Sequence, residues 1–255
     1  MSIKEFKYGN VKISGAVKIP GNYKIINGDT LSELIIRAGG YEDYAYPFGG
    51  FLNNSSSIKI NKEARERLYE QFLKYLIDNA AGIGASGGAA DISLPVILKE
   101  LREVEDVGRV IAEFDIDVIN AKPELDTVLE DGDEIIIPNF TQQVYIYGEV
   151  NNQGAIRYGA GKSIPEYISG SGGFLTSADQ DIIFVVHPNG ETQSFSNQNK
   201  LAFNSYRNQI PVFPGSIIYV PRKASVSSNL KSAAVWAPII SSLALSIASI
   251  SSLNN

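Results

Sequence analysis

Sliding the chain along itself by 133 positions lays residues 11–41 on residues 144–174 without a gap. Val11, Ile13, Gly15, Val17, Gly21, Gly28, Glu33, Ile35, Gly39 and Gly40 meet identical residues at Val144, Ile146, Gly148, Val150, Gly154, Gly161, Glu166, Ile168, Gly172 and Gly173. Half of these pairs are glycines, the residue a chain needs where φ turns positive or where backbones touch. Shared glycines mean shared turns, so the chain reads as two copies of one small domain. Its 255 residues suffice for two domains with a core each.

In the first copy Val11 and Ile13 alternate with polar residues and run on through Gly15-Ala16-Val17 as a strand; Pro20-Gly21 makes a turn and Asn22–Ile26 returns as the second arm of a hairpin. Thr30 then caps a helix, Glu33 can reach back to the cap amide, and Leu31, Leu34, Ile35 and Ala38 form one apolar face. Gly39-Gly40 stops that helix. The second copy repeats the device with Ser163 and Glu166 around Ile164, Tyr167 and Ile168, ending at Gly172-Gly173. The closing segments Leu129–Pro138 and Val212–Pro221 also match, each a turn and a short buried strand ended by proline. Gly132 and Gly215 lie 83 apart, whereas the front halves lie 133 apart, so the first copy holds 50 additional residues, 133 less 83. Within them residues 61–81 read as an amphipathic helix with Ala64, Leu68, Phe72 and Leu76 on one stripe. A Gly82–Gly88 link, a second helix over 94–104 and a returning strand Arg109–Phe114 follow. The second copy instead has Ile182–Val186 and Glu191–Phe195 as a hairpin around His187-Pro188-Asn189-Gly190.

Gly15 to Tyr23, Gly28-Asp29-Thr30-Leu31, Ala38-Gly39-Gly40 and Asp131 to Pro138 resemble the motifs of the soluble-ligand-binding β-grasp (SLBB) domain. The second copy departs from them at Gln153, where the first has Pro20, and at Lys162-Ser163, where the first has Asp29-Thr30. Two such domains followed by Trp236-Ala237-Pro238-Ile239-Ile240 and a serine-rich apolar stretch resemble the C-terminal part of bacterial polysaccharide-export outer-membrane proteins of the Wza type. The resemblance implies an α+β chain of tandem β-grasp domains, 8–140 with a helical insertion at about 58–107, then 141–224, and a C-terminal amphipathic membrane helix at 229–253. It implies a structural subunit of an outer-membrane channel for capsular polysaccharide or exopolysaccharide, with its domains facing the periplasm. Its partners would be polysaccharide, the outer membrane, further copies of itself in a homo-oligomeric ring, and an inner-membrane polysaccharide copolymerase or tyrosine kinase. The alternative is a periplasmic glycan-binding or accessory β-grasp protein without a pore. Members of that family also carry a lipidated cysteine and a polysaccharide-export domain ahead of these parts, and neither occurs in this sequence. Met1–Lys7 lacks the apolar core and cleavage site of a secretory signal, so the expectation is a cytosolic protein or a piece of a longer one.

Composition narrows the chemistry. A net charge of −6 leaves no basic surface for nucleic acid, and the absence of cysteine removes disulfides, thiolate zinc sites and cysteine nucleophiles together. Gly84-Ala85-Ser86-Gly87-Gly88 matches the G-x-S-x-G nucleophile elbow, but that motif needs a strand before it, and here a helix precedes; a flexible loop is the better reading. Gly161-Lys162-Ser163 is similar to the end of a phosphate loop, yet Ile156 stands where its first glycine belongs, and Gly28-Asp29-Thr30 shows the position to be a helix start. His187, the single histidine, has no second histidine or cysteine with which to share a metal and reads as an exposed turn residue. No catalytic, cofactor or metal residue is assigned, and the chain is expected not to be an enzyme. Tyr41, Tyr44, Tyr46 and Phe48, beside Gly49-Gly50 and Phe51, offer aromatic faces on which sugar rings stack. The competing reading is a loop packed on its own domain or on a neighbouring subunit.

From Ser232 to Leu253 no side chain is charged. These 22 residues would span ~33 Å as a helix, the thickness of a hydrocarbon core. Ser242, Ser246 and Ser249 recur on one side of such a helix, and Ile239, Leu243, Ile247 and Ile250 on another, with Ile240 beside them and Trp236 placed to anchor at the interface. A small polar stripe beside an apolar one suits a helix facing lipid outside and a wet lumen, or close neighbours, inside. A helix folded back on a soluble domain and a simple tail anchor are the other two readings.

Overall fold

The computed structural model describes residues 8–78, 108–196 and 210–222. They form two five-stranded sheets that share no strand. The first contains β1 (Tyr8–Gly15), β2 (Gly21–Ile26), β3 (Phe51–Asn53), β4 (Arg109–Val110) and β5 (Glu134–Ile137), in the order β2-β1-β5-β3-β4, with helices α1 (Leu31–Arg37), α2 (Ser55–Asp78) and α3 (Ile116–Ala121). The second contains β6 (Gln143–Gly148), β7 (Gly154–Arg157), β8 (Ile182–Val186), β9 (Thr192–Ser196) and β10 (Ile217–Val220), in the order β7-β6-β10-β8-β9, with helix α4 (Ile164–Gly170). The two orders are the same permutation. In each, the first strand pairs antiparallel with its hairpin partner and parallel with the closing strand.

Alternation on β1 turns Val11 and Ile13 inward to meet Leu31, Leu34 and Ile35 of α1 and Ile135 and Ile137 of β5. Val144, Ile146, Ile164, Tyr167, Ile168, Ile218 and Val220 build the equivalent core. Both capping boxes form: the Thr30 amide donates to Glu33 Oε2 at 3.1 Å and the Ser163 amide to Glu166 Oε2 at 2.7 Å. Gly39-Gly40 and Gly172-Gly173 all have φ near +80°, from 81° to 85°, and end the two helices in the same way.

Register locates the insertion. Against the closing strands, Phe51, Leu52 and Asn53 take the places of Phe184, Val185 and Val186, which lie 133 positions on. Arg109 and Val110 take those of Thr192 and Gln193, only 83 positions on. The additional residues therefore lie within the β3–β4 connection at 54–108, where the second domain makes the short turn His187–Glu191. Asn54 sets the boundary. Its Oδ1 accepts from the Ser57 amide at 2.9 Å, starting α2 at Ser55 rather than at 61, while its Nδ2 donates to the buried Asp133 at 2.7 Å. The side chains of the stripe Ala64–Leu76, the link and the helix over 94–104 lie outside the described residues.

Two strand expectations are corrected. β1 stops at Gly15 instead of running on to Val17, because Gly15 turns to φ +84°, outside the extended region, and a Cβ there would lie 2.0 Å from the Ile137 carbonyl oxygen, so only glycine fits. The chain bends there, the Ala16 amide donates to that oxygen at 2.8 Å, and Val17 pairs with Tyr41. Gly148 repeats this against Val220, also at 2.0 Å. The returning strand Arg109–Phe114 pairs only over Arg109–Val110; Phe114 leaves the sheet to fill the core over Gly50, where a Cβ would meet its ring at 2.3 Å. Asp115 then caps α3, accepting from Asp117 and Val118.

Candidate functional site

The aromatic group after α1 divides in three. Tyr41 is half-buried, and its hydroxyl donates to the Phe114 carbonyl inside the first domain; burial, with Asp115 and Glu113 nearby, raises its pKa. Tyr44 is 57% exposed. Tyr46 precedes the short 3-10 turn Pro47–Gly49 and Phe48 lies within it; Tyr46 is half-buried and Phe48 is 37% exposed. Tyr46 stacks edge-on against Phe140 at 5.3 Å and lies 6.0 Å from Phe48, and burial pushes its pKa up to about 12. Phe48 in turn packs against Phe213 of the second domain at 4.8 Å, and Phe213 against His187 at 5.3 Å. An aromatic row thus runs from Phe140 to His187 across the boundary between the repeats.

Arg109 lies beside this row at the base of the insertion. Its Nη2 donates to the Pro188 carbonyl at 2.6 Å, its guanidinium sits 5.0 Å from the centre of the Phe51 ring, and a Cβ at Gly190 would meet its Nε at 2.5 Å. The side chain is 5% exposed and has no hydrogen-bond partner at Nε or Nη1; desolvation lowers its pKa to about 10. His187 is 2% exposed with both ring nitrogens unpartnered, correcting the expectation of an exposed turn residue. It does occupy the turn, its carbonyl accepting from Gly190 at 2.8 Å, but Phe213 covers the ring. The β8–β9 turn of one repeat is thereby pinned against the opened β3–β4 hairpin of the other.

Arg109, Phe140, His187 and Phe213 are the residues that sequence reasoning missed as a group. The one signal was that His187–Gly190 and the insertion occupy the same place in the repeat. The arrangement joins the two repeats through Arg109, Phe48 and Phe213; no set of three or more His, Cys, Asp or Glu side chains converges on a metal site among the described residues. Gly161-Lys162-Ser163 is the start of α4, with Lys162 Nζ 5.8 Å from the Tyr167 ring. Trp236, Ile239, Ile240, Leu243, Ile247 and Ile250, the stripe Ser242, Ser246 and Ser249, and the Ser86 loop lie outside the described residues. Within the described residues no helix is long and apolar enough to cross a membrane.

Two copies of one α+β unit, joined hairpin to hairpin, are consistent with a pair of β-grasp-like domains. Residues 10–56 match the SLBB domain family, and residues 152–248 match the family described as capsule biosynthesis GfcC C-terminal. Two curated relatives, both the polysialic acid transport protein KpsD of Escherichia coli, are 31% identical over 128 residues, which is 50% of this chain and 23% of theirs. The match thus spans under a quarter of those relatives. Together these matches bear out the resemblance to polysaccharide-export proteins.

Proposed function

We propose that the chain is a structural, non-enzymatic subunit of an outer-membrane channel exporting capsular polysaccharide or exopolysaccharide. In this reading the β-grasp domains form tiers of a periplasmic homo-oligomeric ring and residues 229–253 cross the membrane with their counterparts as a helical barrel. The observation that carries it is the 31% identity to a polysialic acid transport protein, together with the domain duplication. The 22 uncharged residues from Ser232 to Leu253 support the membrane part. A second reading, a periplasmic glycan-binding or accessory protein without a pore, draws on the capsule-biosynthesis match over 152–248.

The mass of the complex in detergent, with and without residues 229–255, separates the two. The channel reading expects a large detergent-bound oligomer that loses its detergent when the segment is removed. A monomer in both cases would eliminate the ring and leave the accessory protein.

A further inference from the structure

The two sheets share a backbone plan but differ on the face turned away from the core. On the first sheet β1 is polar on that face: Asn10, Lys12 and Ser14 alternate with the inward Val11 and Ile13, and Lys12 Nζ lies 3.5 Å from Glu134 beside it on β5. On the second sheet the positions equivalent to Lys12, Ser14 and Ile136 are Tyr145, Tyr147 and Tyr219. Val144 and Ile146 on β6 and Ile218 and Val220 on β10 belong to the core, so the three tyrosines point out. Tyr147 and Tyr219 are direct register neighbours, and Tyr147 is 38% exposed while Tyr145 and Tyr219 are half-buried.

Among the described residues, the face beside Tyr145 and Tyr147 is polar on one side. Ala155 stands opposite Tyr145, so no large side chain covers its edge from β7. Gln143 and Arg157 face each other next along, both exposed, and Gln143 Oε1 lies 3.4 Å from the Tyr145 hydroxyl. Phe184, Val186 and Ile217, on the same face, are buried, which confines the accessible part to β7, β6 and the β6 side of β10. Among the described residues, Arg157 is the one charged side chain on the strands of that face and none is acidic, in a chain whose net charge is −6.

We propose that this face is a glycan-binding platform that takes an oligosaccharide bearing carboxylates. Tyrosine rings present flat faces to the C–H faces of sugars, while the Tyr147 hydroxyl and the Gln143 amide serve the sugar hydroxyls. Arg157 supplies the fork that matches a carboxylate. A purely apolar partner would leave the guanidinium and amide without function. The platform rests on the polysaccharide reading above and adds where the sugar sits and what charge it carries.

The test is titration calorimetry of the full chain with two probes of equal length, a hexamer of galacturonic acid and maltohexaose. The wild type is expected to bind the acidic hexamer more tightly, and Tyr147→Ala or Tyr219→Ala to weaken both probes about tenfold. Tyr147→Phe should retain binding, and Arg157→Gln should weaken only the acidic probe. Tyr8→Ala, an exposed ring on the first sheet, serves as the control and should change nothing. Circular dichroism confirms that each variant is folded. Binding unchanged in Tyr147→Ala, or binding of neither probe by the wild type, overturns the platform. Tyrosine-dependent binding by a chain that is monomeric in detergent would keep the platform and reject the channel, whereas an oligomer with tyrosine-independent binding would reject the platform alone.

Discussion

Gly15 and Gly40 both have positive φ, at 84° and 81°, yet an added methyl meets different surroundings at the two. At Gly40 it meets nothing within 4 Å, so Gly40→Ala should cost only the left-handed conformation, about 1–2 kcal/mol. Gly173, its counterpart in the second domain, is equally open and should behave alike. At Gly15 the methyl would lie 2.0 Å from the Ile137 carbonyl oxygen, so β1 and β5 must part, and Gly15→Ala should cost upwards of about 3 kcal/mol. Urea denaturation of the two variants measures the contrast, and equal losses would mean that the close approach at Gly15 is readily relieved. The repeat shows both glycines to be required. It does not distinguish a conformational requirement from a contact.

At the scale of the elements, the insertion and the turn it replaces are alternative closures of one hairpin. Substituting the turn sequence His187–Glu191 for residues 54–108 should therefore leave the first sheet folded, since β3 and β4 would keep the register that β8 and β9 show. The exchange removes Asn54, which bonds Asp133 at 2.7 Å; burial raises the pKa of that carboxyl, and the Glu130 amide also donates to it at 2.8 Å. Losing one bond to a buried polar group costs about 1–3 kcal/mol, which is the expected destabilisation. A single cooperative thermal transition with strand-type circular dichroism checks it; loss of that transition would make the insertion part of the domain's core. The α1 and α4 helices were legible in advance because caps, apolar faces and glycine stops lie within one or two turns of each other. The two-residue β4 was not, because Phe114 leaves the strand for a cavity that exists only when Gly50 is beneath it.

In the whole molecule the junction places a buried histidine between domains. Burial lowers the His187 pKa below the ordinary value of 6.5, with Glu191 opposing the shift. The unfolded chain therefore takes up the proton more readily than the folded one. His187 is neutral in both states above about pH 6.5, and stability falls as pH drops below that value until the folded-state histidine also titrates. Urea midpoints at pH 7.5 and 5.5 should fall further for the wild type than for His187→Leu. Parallel losses in the two proteins would place the acid sensitivity elsewhere, among the carboxylates.

What the sequence determined by itself was the duplicated unit: its hairpin, its capped helix, its closing strand and the presence of 50 additional residues in one copy, 133 less 83. These rest on local periodicity, capping chemistry and glycine positions, and a repeat exposes each of them twice. The side chains that join the copies were decided by tertiary structure alone. Arg109 meets Pro188 across 79 positions, and Phe48 meets Phe213 from the other domain. Nothing in the spacing of such residues marks them, because the contact depends on how two separately folded units dock. His187 shows the reason most directly: its turn sequence is that of a surface loop, and the ring is buried because Phe213 packs over that turn.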